Sequence, residues 1–548
     1  EPQRGGSGAG GQLPEGRRRE LGGAPAARHA RFLADAWCAA FVVPKTAVAA
    51  PITTATLRAW AHAPAAPPDD SPEAAVAAVR AAAREYRFFH WHLEFPTIFD
   101  PATGEGGFDC VVGNPPWEHQ ELKEQEFFAS SAPEIADASG TRRKALIAAL
   151  DEDDPALAAD YRRAKRAVDG TRHFLGKSGR FPLCGRGRIN SYAVFAEHGR
   201  SIVAGEGRFG IIVPTGIATD ATTQYYFRAA VESAGLVSLY DFENRTGLFA
   251  AVDSRMKFCL LTQTGRERTN PHARFAFFLH HPRELADPGR SFDLTPAEIT
   301  LLNPNTGTCP VFRSRRDAEI TLGIYRRVPV LVREGDPGGN PWGVSFMQGL
   351  FNMTSDSDLF HTRDGLEAAG WRLQGNVFHR GEERMLPLYE GKMIHHFDHR
   401  WATHDEGGFR DVTDDEKRDP GFAPLPRYWV PADLVRAKLA GRWDRDWLIG
   451  FRDITNTTNE RTVIAAAFPY SAVGNNLPVM LSDADDSGLL PVVLTSLVVD
   501  FAARLKVGGT HMNFFIMEQL PVLAPEQFLE PAPWCRESVA DWIRLRAS

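Results

Sequence analysis

The stretch Phe108-Asp109-Cys110-Val111-Val112-Gly113-Asn114-Pro115-Pro116-Trp117 constrains this chain more than any other. Phe108, Val111 and Val112 form an apolar run of strand length that Gly113 ends, which reads as a short buried strand stopping at a rigid loop. Pro115 and Pro116 fix φ at successive positions and remove two backbone donors, so their carbonyls can face a ligand. Asn114 adds a side-chain carbonyl and Trp117 a large flat face. Together they are suited to holding a planar amino group edge-on while its ring is stacked. A plain Pro-Pro turn after a strand can present the same residues, so the rest of the chain has to decide.

Composition sets the outer bounds. A chain of 548 residues can hold two or three domains with sizeable cores. With 43% hydrophobic and 24% charged residues it reads as an ordinary soluble globular protein. The net charge of -7 means that any nucleic-acid contact must come from local basic patches. The six cysteines, at 38, 110, 184, 259, 309 and 535, include no Cys-x-x-Cys pair. This argues against a zinc site or a disulfide framework and for a reducing, cytoplasmic setting. No segment reaches transmembrane length and no signal peptide is visible, so no membrane partner is expected. The first residue is Glu1 rather than Met, which reads as an N-terminally truncated chain.

Residues 1–27, rich in Gly, Arg, Pro and Ala, are expected to be a flexible linker. Their Gly5–Gly11 run has no preceding strand and no following helix, which weighs against a cofactor loop. Helices are expected from Arg28 to Val43 and from Ser71 to Phe89. In His90-Trp91-His92-Leu93-Glu94, alternation on a strand would put His90, His92 and Glu94 on one face. An aromatic strand edge is the favoured reading over a metal site there. Residues 118–188 read as a polar helical insert, ending in a run that holds Arg162, Arg163, Lys165 and Arg166. That run is either a solvated face or a clamp for DNA phosphates.

From Ile189 on, helix and strand alternate. Asn190–Glu197 opens an amphipathic helix, and Gly205–Arg208 turns into the strand Phe209–Pro214. A helix around Tyr225–Ala234, a strand Leu236–Phe242 and a last strand Met256–Leu261 follow, as in the α/β units of a parallel sheet. Beyond about residue 300 the alternation is lost. His395-His396-Phe397-Asp398-His399-Arg400 reads as a polar recognition or hinge loop rather than a metal site. Arg452–Thr462, with Asn456, Asn459 and Arg461, is dense in side chains that read base edges, or else is a solvated polar turn.

The Asn114-Pro115-Pro116-Trp117 sequence resembles motif IV of the S-adenosylmethionine-dependent amino methyltransferases. The segments from Asn190, Gly207, Leu236 and Phe249 resemble motifs V to VIII of gamma-class adenine-N6 DNA methyltransferases, in the right order, over roughly residues 90–265. The likeness is to the large type IIG restriction-modification and phage-defence methylases, and Leu505–Phe515 with Glu518–Pro521 resembles the close of their target-recognition domains. It implies a Rossmann-like α/β methyltransferase core, in part, with S-adenosyl-L-methionine as cofactor and duplex DNA as partner. Asn114 and Pro115 would then accept the two hydrogens of an adenine amine, beside Pro116. Trp117 and Phe249 would stack on the flipped base, and Phe195 with Asn114 would line the cofactor. The family's Gly-rich loop and acidic ribose ligand are not recognisable before Asn114, so weak cofactor binding is expected.

The domains expected are thus the linker 1–27, a catalytic domain 28–300 and an α+β target-recognition domain 301–548. No nuclease motif is evident, so any nuclease would be a domain or subunit outside this sequence. The rival readings are a protein-glutamine methyltransferase and a non-catalytic DNA-binding module.

Overall fold

A computed structural model describes residues 25–45, 51–63, 73–100, 105–507 and 510–547. The expected linker and its glycine run lie almost wholly outside the described residues, as does the Ser-Pro start of the Ala-rich helix. The chain is mixed α/β and divides into two compact units. One holds residues 1–239 and 249–271, the other 240–248 and 272–548. The boundary expected from the sequence falls at residues 300 and 301; the contact division runs at Pro271 and His272.

Among the described residues the first unit begins with the helices Pro25–Val42, Thr54–His62 and Glu73–Tyr86. Phe32, Ala36, Val42, Trp60, Val76 and Val79 form their shared core. The 23-residue helix Pro155–Lys177 packs on the first of them. Its Gly170 makes the close approach possible, since a Cβ there would lie 3.1 Å from Val42 Cα. Phe174 closes the contact edge-on against Trp37 and Phe41, each with centroids 5.7 Å away. Helices Glu124–Phe128, Pro133–Ala136 and Gly140–Asp153 complete the expected helical insert around Phe128 and Tyr161.

His90–Glu94 is a correction. Trp91–Glu94 is a short helix rather than a strand, so the alternation that would have aligned His90, His92 and Glu94 does not apply. His90 pairs with Asp35 at 2.8 Å and Glu94 with Arg31 at 2.6 Å. Among the described residues no group of three or more His, Cys, Asp and Glu could hold a metal ion.

Strand β1 (Phe108–Gly113) is entered through Gly106 and Gly107, both at positive φ. A Cβ at Gly106 would lie 2.0 Å from Ile98 O, and one at Gly107 2.5 Å from Ala204 N. Only glycine fits that entry. β1 runs parallel to β2 (Val203–Pro214); β3 (Leu236–Glu243) follows in the chain, and β2 is antiparallel to β4 (Lys257–Thr264). The sheet is therefore mixed where a parallel one was expected, and β2 begins at Val203, through the expected Gly turn. β1 also differs from the buried strand of the sequence reading. Phe108 and Val111 are half-buried, while Asp109, Cys110, Val112 and Gly113 are exposed. A strand at the end of a sheet, paired with β2 alone among the described residues, has one side uncovered.

In the second unit the antiparallel strands Ala465–Pro469, Trp447–Phe451, Val479–Ser482 and Val344–Met347 form one sheet in that order. Trp342, Phe451, Met480, Leu490 and Met517 lie in the core on it. Trp429–Pro431, Glu383–Tyr389, Val377–Arg380 and Arg372–Gln374 form another, with Ala472–Val473 added parallel to Glu383–Tyr389. No described helix is long and apolar enough to cross a membrane.

Candidate active site

Asn114 stands exposed where β1 ends, followed by a half-buried Pro115, an exposed Pro116 and a half-buried Trp117. The loop does not wander, because the residues after it are tied to the start of helix Ser191–Ile202. Ser191 N donates to Glu118 O at 2.8 Å, and Gln120 N to Ile189 O at 3.0 Å. Gln120 Nε2 reaches Ser191 Oγ at 2.7 Å, and Ser191 Oγ donates to Glu118 O at 3.0 Å. Asn190 caps the helix by accepting from Tyr192 N at 3.2 Å. Motif loop and helix are thus held as one piece by paired backbone groups that neither could satisfy alone.

That helix carries Phe195. Ser191, Tyr192, Ala193, Val194, Ala196 and Glu197 around it are buried, yet Phe195 is 49% exposed. Val112, near the end of β1, is 79% exposed. Helix and strand pack together, so two uncovered apolar groups belong to the elements that hold Asn114. Glu197, buried on the same helix, accepts from Leu183 N at 3.0 Å and Cys184 N at 2.8 Å and fixes the loop before the helix.

Trp117 sits in a three-ring cluster. It meets Phe249 edge-on, centroids 6.5 Å apart, and lies at 29° to Phe258 at 6.3 Å. Phe249 and Phe258 are 5.0 Å apart, also edge-on. Trp117 Nε1 is covered and has no hydrogen-bond partner among the described residues. Phe258 is not among the residues that the sequence singles out. It lies in the apolar run Phe258-Cys259-Leu260-Leu261, which marks a core strand, and nothing local distinguishes it from a core residue.

The basic run is engaged within the chain. Arg162 pairs with Asp151, and Arg163 with Asp160 at 3.1 Å. Lys165 lies 5.9 Å over the Tyr161 ring. Arg166 turns inward and donates to Val42 O and Val43 O at 3.1 and 3.2 Å, at the end of helix Pro25–Val42. Asn456, in the second unit, organises its own turn: its Oδ1 accepts from Thr458 N and Asn459 N, both at 2.9 Å. Asn459 is exposed, while Arg461 is half-buried with a covered, unpartnered Nη1.

Residues 59–144 match the profile of the Eco57I restriction-modification methylase family, a span that includes the motif loop. No curated protein matches in sequence. Among solved structures, the type IIG restriction endonuclease BpuSI aligns at 12% identity over 68% of this chain and 46% of that one, TM-score 0.25. The type IIL restriction-modification enzyme MmeI, solved with DNA, aligns at 9% identity over 84% and 54%, TM-score 0.34. The type ISP enzyme LlaGI, a nuclease-deletion mutant with a DNA substrate mimic, aligns at 10% over 80% and 44%, TM-score 0.30. The chain therefore spans about half the length of the structures it matches, and scores this low carry no argument of their own. Asn114-Pro115-Pro116-Trp117 thus lies within the segment, residues 59–144, that matches the Eco57I restriction-modification methylase family.

Proposed function

We propose that this chain is part of a site-specific DNA methyltransferase acting on adenine N6 in duplex DNA, within a restriction-modification or phage-defence system. The observation that carries the reading is the placement of Asn114 at the open end of β1, three residues before a tryptophan set in a ring cluster. The family segment over 59–144 supports methyl transfer as the chemistry.

An exocyclic amine conjugated to adenine is a poor nucleophile, because its lone pair is delocalised into the ring. Two acceptors, Asn114 Oδ1 and the Pro115 carbonyl, take its two hydrogens and favour a pyramidal nitrogen. The gain is orientation and electrostatics, and a rigid Pro-Pro loop holds both acceptors in place without reorganising. Trp117 and Phe249 supply flat apolar faces for a base taken out of the stack. Bound S-adenosyl-L-methionine supplies the methyl group. Phe195 and Val112 fit one wall of its pocket, since both are apolar, uncovered and carried by the elements that fix Asn114. Asp109 and Cys110, equally exposed, belong to the same strand. On this reading β1, β2 and β4 are part of a Rossmann-like core, the second unit reads the target sequence, and a nuclease would lie on another domain or subunit.

The test is transfer of tritiated methyl to duplex DNA from S-adenosyl-L-methionine supplied in large excess, because weak cofactor binding is expected, followed by digestion to nucleosides. Label in N6-methyldeoxyadenosine is expected, and Asn114→Ala abolishes it. Label in protein glutamine, or in no acceptor at all, overturns the reading.

A further inference from the structure

In the second unit, residues His395–Asp398 form a two-residue turn whose ends bond both ways, His395 N to Asp398 O at 2.7 Å and Asp398 N to His395 O at 3.1 Å. Phe397, one of its two central residues, has φ +55° and is 65% exposed. Positive φ in a turn is the place of glycine or asparagine, and a bulky aromatic residue adopts it only at a cost. Its surroundings hold it there. His395 stacks on Trp401 with centroids 4.2 Å apart and planes at 30°. Lys417 covers Trp401 at 4.4 Å and pairs with Asp398 at 2.9 Å. Arg400 N donates to Asp398 Oδ1 at 2.8 Å, and the Arg400 guanidinium is tied to Lys417 O at 2.8 Å and Asp419 O at 3.1 Å.

The other central residue, His396, is also held against its preference. Both its ring nitrogens are covered and unpartnered among the described residues, and so is Nη1 of Arg461. Burial, with the charges of His395 and Arg461, pushes His396 down to about 4, so at neutral pH it is one donor and one acceptor. Unmet groups of this kind, and backbone strain in a braced turn, concentrate where a molecule makes contact.

We infer that this turn contacts DNA and that Phe397 stacks on a nucleobase of the target site. The inference rests on the proposed function and adds the residue through which the second unit engages a base. A nucleobase matches what the turn offers: a flat face for a rigid, exposed aromatic ring held by its braced backbone.

The experiment selects duplexes from a pool with a randomised core, using the full 548-residue chain, and measures binding of the enriched duplex by anisotropy. Phe397→Gly removes the ring and suits the φ of the turn, so its thermal midpoint should equal or exceed the parent's. It is expected to bind the enriched duplex about 10-fold more weakly, the scale of one base-aromatic stack. Phe397→Trp keeps a flat ring and is expected to stay within about 3-fold of the parent. Equal binding by Phe397→Gly overturns the inference alone. A fall in its thermal midpoint alongside its affinity also overturns it, because the ring would then be structural. A parent that enriches no sequence overturns the proposed function and this inference with it.

Discussion

The indole of Trp117 and the ring of Phe249 meet edge-on, with centroids 6.5 Å apart and planes at 80°. A base clasped between two rings needs them parallel, with its own thickness between. The edge-on contact leaves no such slot, so a base stacked on Trp117 has to turn or displace Phe249. Phe258, 5.0 Å from Phe249 and buried on β4, gives that ring a surface to move against.

Trp117→Ala and Phe249→Ala are each expected to lower kcat/KM for methyl transfer about 10-fold, from the loss of one stacking face. The double variant should lose less than the product of the two, because the rings share one base and touch each other. Independent, multiplicative losses in steady-state kinetics would mean that they do not act on the same ring.

Asn114→Ala should act on turnover rather than on folding. The side chain is exposed at the end of β1, so its removal leaves no cavity. Loss of an oriented acceptor is expected to cost about 10²-fold or more in kcat, by analogy with loss of one preorganised hydrogen bond at a reacting group. The same preparation should keep its thermal midpoint and its affinity for duplex DNA. A variant that loses DNA binding in step with turnover would place Asn114 in recognition instead.

How much of this is legible in the sequence follows from where the information lies. The strand from Phe108, the helix from Ser191 and the strands from Leu236 and Lys257 are readable, because apolar periodicity and Asn190 as a cap are local signals. The family resemblance implies that Trp117 and Phe249 stack on one base and so lie near each other, but not that they meet edge-on; Phe258 escapes notice because a buried strand phenylalanine has no local mark of function. The exposure of β1 is also hidden. Phe-x-x-Val-Val reads as a buried run, and whether both sides are covered depends on neighbours that the run does not encode. The chain at His90–Glu94 misleads because five residues with alternating polarity fit a strand and a single helical turn equally well. The roles of Arg162 to Arg166 depend on partners at Val42, Val43, Asp151 and Asp160, which sequence spacing alone does not assign.

Arg166 gives a test that separates scaffold from DNA contact. Its guanidinium takes the carbonyls of Val42 and Val43 at the open end of a helix, where oxygens lack intrahelical donors. Arg166→Ala should lower unfolding stability by about 1.5–3 kcal/mol, the range for hydrogen bonds involving a charged group, in urea titrations. The salt dependence of DNA binding should stay unchanged. Arg163 and Lys165, far more exposed, should behave in reverse: replacing both flattens the slope of log affinity against log salt and leaves stability alone. A flat slope for Arg166→Ala would contradict the scaffold role.

The last prediction concerns acid. His198 is packed against Trp91 and Phe181, with ring centroids 5.6 and 6.5 Å away, and Arg180 Nη2 lies 3.5 Å from its Nδ1. Burial first, and the Arg180 charge second, push this imidazole down to about 4 from an ordinary 6.5. Between those values the unfolded chain binds the proton and the folded one does not. The stabilising contribution is therefore complete above pH 6.5 and is lost as pH falls toward 4. Glu518 titrates with the opposite sign in part of the same window. Burial and the Glu334 charge push it up to about 7, so its contribution fades as pH rises. The whole protein's acid profile sums such terms, and only a difference isolates His198. His198→Gln removes its titration at similar polarity. The gap between the thermal midpoints of parent and variant should narrow, or change sign in the variant's favour, as pH drops from 6.5 to 4. A gap that stays constant across this range would mean that His198 keeps an ordinary affinity for its proton in the fold.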